Sequence, residues 1–95
     1  MKYYVTEKIY NAKNRLIKDE RLTGDTDYLS WAKQQMDYRF QQIIQEKKYE
    51  IQNGGVFCRE DECKIVLKND ETIVISIKKL NYKSNASGII ETLRI

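Results

Sequence analysis

The side chains best equipped for chemistry in this sequence are two cysteines, Cys58 and Cys63, with the acidic run Glu60–Asp61–Glu62 between them. If that run turns a hairpin, the two thiols fall opposite one another on adjacent strands. A zinc site there needs four ligands; in a chain without histidine, carboxylates or a second subunit would have to supply the rest. A disulfide suits cross-strand geometry but is disfavoured in a reducing compartment. Two reduced thiols, one or both buried, are the simplest reading, so neither a metal nor a cofactor is expected.

Other catalytic signals are weak. Without histidine the commonest general acid–base group is missing. Carboxylates are plentiful, but none stands at a telling spacing from a partner, and Glu60–Asp61–Glu62 reads as a solvated turn. Asn53–Gly54–Gly55 lacks the Lys and Ser/Thr of a phosphate-binding loop and precedes a strand rather than a helix. The chain reads as non-catalytic.

Two constellations suit binding instead. Trp31 and Tyr38 are seven residues apart, two turns along one side of a helix. Gln34, Gln35, Gln41, Gln42 and Gln45 surround them with hardly any charge. A solvated helix face normally carries Lys and Glu, whereas aromatics without charge are the composition of a contact surface. The competing account buries both aromatics in a second core, with other elements wrapping the helix from both sides. The other constellation is Lys78, Lys79, Tyr82 and Lys83, where cations could neutralise phosphates and a ring could stack on a base. Lys13, Arg15, Lys18 and Arg21 add positive charge nearer the N-terminus. A pI of about 8.8 lies below the range of a dedicated nucleic-acid binder.

The elements that must position these residues follow from periodicity. Asp27–Lys48 reads as the principal helix: Leu29, Ala32, Met36, Phe40 and Ile43 share one arc of the wheel, with Ile44 at its edge. Asp25, Thr26 and Asp27 can cap its start, and Lys47 and Lys48 suit its negative end. Thr6–Leu22 reads as a first helix through Val5, Ile9, Ala12 and Leu16, with a short strand before it and Gly24 closing its last turn. A strand over Lys2–Ile9 competes, because Tyr3, Tyr4, Val5 and Thr6 favour β structure. Beyond Lys48 the period falls to two. Strands are expected at Tyr49–Gln52, Val56–Arg59, Cys63–Lys68, Thr72–Leu80 and Ile89–Ile95. Turns are expected at Asn53–Gly54–Gly55, Glu60–Glu62, Asn69–Asp70 and Ser84–Gly88.

The 95 residues allow one domain with a single modest core. At 41% hydrophobic and 33% charged, the composition is that of an ordinary globular chain. The net charge of +3 is basic toward both ends and acidic through the middle. No apolar run approaches the ~20 residues of a membrane helix, and residues 1–10 lack a signal-peptide core, so a cytoplasmic protein is expected. Abundant Lys, Ile and Asn with no Pro or His suggests an AT-rich gene.

These readings predict a single α+β domain spanning residues 1–95, with an N-terminal helical hairpin packed on a four- to five-stranded antiparallel β-meander. The expected role is a small protein–protein interaction module, of the kind a phage or mobile element uses to inhibit or regulate a host system. Nucleic-acid binding through the basic strand end and a homodimeric structural role are the alternatives.

Overall fold

Residues 1–80 are described by this computed structural model and form β1 (Lys2–Tyr10), β2 (Leu16–Arg21), α1 (Leu29–Glu46), β3 (Ile51–Cys58), β4 (Glu62–Leu67) and β5 (Thr72–Leu80). The strands make one antiparallel sheet in the order β2-β1-β5-β4-β3, so β5 lies at its centre. Its sequence explains the position. Ile73, Ile75 and Ile77 are buried on one face of β5, and Val74 and Ser76 lie on the other, giving the strand little charge until Lys78.

The expected helical hairpin is not formed. Residues 2–21 fold as the β1–β2 hairpin, and the single helix among the described residues follows it. The register explains why the alternation was hard to read. Tyr3, Val5, Glu7 and Ile9 all lie on the helix-facing side of β1, and the charged member, Glu7, breaks the apolar pattern. Strand β2 is an edge whose residues are almost all exposed, so it carries little hydrophobic signature. Ala12, the apparent continuation of a helical stripe, instead sits in the turn. There Asn11 Oδ1 accepts from the backbone N–H of Lys13 and Arg15, and Asn14 adopts φ 62°.

From β2 the chain is stitched back along β1 before the helix starts. Leu22 N–H donates to Val5 O, Thr23 Oγ1 accepts from Val5 N–H, and Tyr3 and Thr26 exchange backbone hydrogen bonds. Thr26 Oγ1 also accepts from Tyr28 N–H just ahead of α1. Helix α1 then crosses one face of the sheet and delivers the chain to β3 at the opposite edge. Ala32, Met36, Phe40 and Ile43 close over Val5, Cys63, Ile65, Leu67, Ile73, Ile75 and Ile77, and these residues form the core. Leu29, read as part of the same stripe, stays exposed at the first turn.

Strands β3, β4 and β5 run as an antiparallel meander, but Asn53–Gly54–Gly55 is a bulge within β3 and not a turn. Ile51 pairs with Leu67 and Val56 with Ile65, so residues 52–55 stand opposite Val66 alone. Gly54 supplies φ 75°, a backbone conformation that suits bulges as well as turns. Gly55 answers a different need. A Cβ there would come within 2.7 Å of Val66 O and 3.0 Å of Gln52 O. Both neighbours are backbone and cannot swing aside. Gly55→Ala is therefore expected to lower stability by about 2 kcal/mol, as overpacking does, which urea unfolding would measure. A change below about 0.5 kcal/mol, the range of a neutral surface substitution, would show that the bulge has room to move.

The loop Lys68–Glu71 carries the expected Asn69–Asp70 turn, with Asp70 at φ 69°. Among the described residues, no helix is long and apolar enough to cross a membrane. The expected Ser84–Gly88 loop and Ile89–Ile95 strand lie outside the described residues.

Candidate interaction surfaces

Where α1 meets the sheet, the core holds one carboxylate. Glu7 is 1% exposed, and Arg39 grips it in a two-pronged contact: Nε donates to Oε1 at 2.6 Å and the guanidinium's second nitrogen to Oε2 at 3.3 Å. Lys18 reaches Oε2 from β2 at 3.3 Å and also meets Glu20 at 3.1 Å. Burial pushes the Glu7 carboxyl up, but the hydrogen bonds and charges of Arg39 and Lys18 together outweigh it, and the net shift is downward. Lys18 is held above its usual value, chiefly by its hydrogen bond to Glu20. The triad ties α1, β1 and β2 together. Both carboxylate oxygens are bonded and Glu7 itself is shut away from solvent, while Arg39 and Glu20 border a shallow depression beside α1; the role of the triad is to fix the helix on the sheet.

The outer face of α1 turns away from that core. Trp31 is 40% exposed and Tyr38 65%, and among the described residues no second layer covers this side of the helix. Gln34, Gln41 and Gln45 are exposed beside them, and Gln35 and Gln42 are half-buried on the flank toward β2, where Gln42 Oε1 accepts from Arg39. Tyr28, which sequence reading passed over, is 69% exposed one turn before Trp31 and extends the aromatic line. Its spacing of three residues ahead of Trp31 was the available signal. Two shallow depressions flank the line. Gly24, Asp25, Thr26, Tyr28 and Trp31 enclose one of about 360 Å³. Glu20, Arg39, Leu22, Gln35, Tyr38 and Gln42 are among the residues bordering the other, of about 400 Å³, so its wall toward β2 is charged.

The basic cluster read at the end of β5 is divided by the pleat. Lys78 pairs with Tyr4 and lies on the face of the sheet opposite α1; Lys79 pairs with Tyr3 and lies on the helix side. Tyr82 and Lys83 lie outside the described residues. Lys13 and Arg15 are in the β1–β2 turn, and Lys18 and Arg21 are on β2 rather than on a helix. Arg21 is turned inward on itself: it is paired with Asp25, and its guanidinium lies 4.0 Å over the Tyr4 ring.

Cys58 and Cys63 do stand opposite one another in the β3–β4 register, and both are free thiols. Cys58 is exposed, whereas burial, reinforced by the neighbouring Cys58, pushes the Cys63 thiol up to about 12. At neutral pH Cys63 is therefore fully protonated and a poor nucleophile. Among the described residues, no group of three or more Cys, Asp or Glu is placed to hold a metal ion.

Compared with known protein families, curated proteins and solved structures, the chain matches none of them.

Proposed function

We propose that this chain is a non-catalytic protein-interaction module that binds another protein through the outer face of α1. The observation that carries the reading is the exposed line Tyr28, Trp31 and Tyr38, set among glutamines, with charge confined to its flanks at Asp25, Glu20 and Arg39. Large rings left in water are unfavourable in the free chain, and covering them is the usual source of interface energy. The glutamines supply hydrogen bonds around the anchors without the desolvation cost of charges. A module of this kind acts by blocking or recruiting its partner, in keeping with an inhibitor or regulator.

The test takes a partner recovered with the wild-type chain and measures its affinity by calorimetry. Trp31→Ala is expected to weaken binding by about 2 kcal/mol, roughly thirtyfold, the loss typical of a central aromatic anchor. Tyr38→Ala should follow it, and Lys79→Ala should leave the affinity unchanged. Equal affinities for wild type and Trp31→Ala would place the interface elsewhere. Trp31 emission over a dilution series separates self-association: a blue-shifted spectrum that reddens on dilution would make the partner a second copy of the chain.

A further inference from the structure

We propose that the face of the sheet not covered by α1 is a binding surface for single-stranded nucleic acid. The antiparallel register aligns Asp19, Lys8, Val74, Lys64 and Phe57 in one row across all five strands. Lys78 stands farther along β5 on the same face, four residues beyond Val74. Lys8, Lys64 and Lys78 line one shallow depression of about 370 Å³, floored by Thr72, Val74 and Ser76 and bordered by Tyr10. Among the described residues, none of these three lysines makes an ion pair, whereas Lys2, Lys18, Lys33, Arg21, Arg39 and Arg59 are each held by a carboxylate. Of the acids on that face, Glu62 contacts Arg59 at 3.4 Å, and Asp19 sits at the β2 end of the row. Glu62 also lines the depression but is engaged by Arg59, so three lysines against one carboxylate leave it net positive around hydroxyl groups, and the complementary ligand is a polyanion.

The rings choose among polyanions. Phe57 is 54% exposed next to Lys64, and Tyr10 lies at the opposite margin beside Thr72. The row from Lys8 to Phe57 crosses three strand spacings, about 14 Å, enough for a short run of nucleotides. Lysines that track phosphates, alternating with rings that stack on unpaired bases, form the platform by which sheets hold single strands. A duplex keeps its bases stacked on one another and offers nothing to Phe57 or Tyr10. Next to Ser76 in the adjacent row, Thr6 keeps its Oγ1 buried and, among the described residues, without a hydrogen-bond partner. The surface lies on the opposite side of the sheet from Trp31, so it stands or falls independently of the protein-binding face.

The experiment uses fluorescein-labelled twelve-nucleotide oligothymidylate and oligouridylate, with binding followed by anisotropy between 50 and 200 mM salt. Three lysine–phosphate contacts on a single strand predict a log–log salt slope of about −2. Lys8→Gln, Lys64→Gln and Lys78→Gln combined should weaken binding at least about tenfold at low salt and flatten that slope. An equal change of charge through Lys47→Gln, Lys48→Gln and Lys79→Gln should cost far less, because none of those residues lies on this face. Phe57→Ala should weaken binding about fivefold or more and leave the slope unchanged, as loss of stacking does. The proposal is overturned if neither oligonucleotide binds, or if the two triple variants lose affinity equally. It is also overturned if a duplex of the same length binds as tightly, or if polyglutamate competes as well as unlabelled oligonucleotide.

Discussion

Arg39→Ala is expected to lower the free energy of unfolding by about 3 kcal/mol at neutral pH, because removing one partner of a buried ion pair leaves the other charge uncompensated. Glu7 is nearly inaccessible, and Arg39 supplies the hydrogen bonds to both of its oxygens. Lys18 remains within 3.3 Å but is itself partly exposed and shared with Glu20, so it cannot replace the guanidinium. Such a loss is a large share of the stability available to a small domain. Its pH dependence has a definite sign. The folded-state pKa of Glu7 lies below the ordinary value of 4.5. The stability drawn from the ionised pair is therefore fully present above pH 4.5 and lost as pH falls through the lower folded value. The gap between wild type and Arg39→Ala should be widest near pH 7 and close in acid, where Glu7 is neutral. Urea unfolding at several pH values measures it. A pH-independent difference would mean that Arg39 contributes by packing its stem and not by charge. Replacing the pair together, Glu7→Leu with Arg39→Leu, should recover most of the loss, since apolar groups of similar size often substitute for a buried ion pair at no net cost.

Phe40→Ala is expected to cost about 3–5 kcal/mol, the range for emptying an aromatic site in a core. Phe40 is buried midway along the inner face of α1, and that helix is the only element among the described residues covering this side of the sheet. The vacated volume cannot collapse easily, because the sheet below it is held by ladders on both sides of β5. Trp31→Ala, nine positions earlier and on the outer face, should change stability by less than about 1 kcal/mol, as surface substitutions do. The pair of variants separates the two faces of one helix: Phe40 should affect folding, and Trp31 should affect binding. A large stability loss at Trp31 would instead make that ring part of the folded scaffold and remove it from the proposed interface.

Much of this architecture was legible from periodicity. The helix read over Asp27–Lys48 is observed over Leu29–Glu46, and Ala32, Met36, Phe40 and Ile43 are buried as their spacing implied. Alternation marked β4 and β5, and the acidic turn placed Cys58 opposite Cys63. These features depend on neighbours within a few residues, where the pattern of side chains and the turn chemistry are written directly in the chain.

The N-terminal hairpin and the bulge in β3 were decided at longer range. Asn–Gly–Gly permits positive φ, but whether it turns the chain or bulges it depends on which strand the flanking residues pair with. Here both sides pair with β4. Glu7 interrupts the apolar alternation of β1, and the partner that makes it an inward-facing residue, Arg39, lies 32 residues away on α1. Only when the helix docks does that carboxylate become an inward-facing residue and β1 a regular strand. Lys8, Lys64 and Lys78 likewise come together only because β1, β5 and β4 are neighbours in register, while Lys78 and Lys79, adjacent in sequence, part to opposite faces. Local sequence determined which segments could be helix or strand. Tertiary pairing decided which charges are buried, which are gathered and which are left in water, because an electrostatic partner is chosen by distance in space and not by distance along the chain.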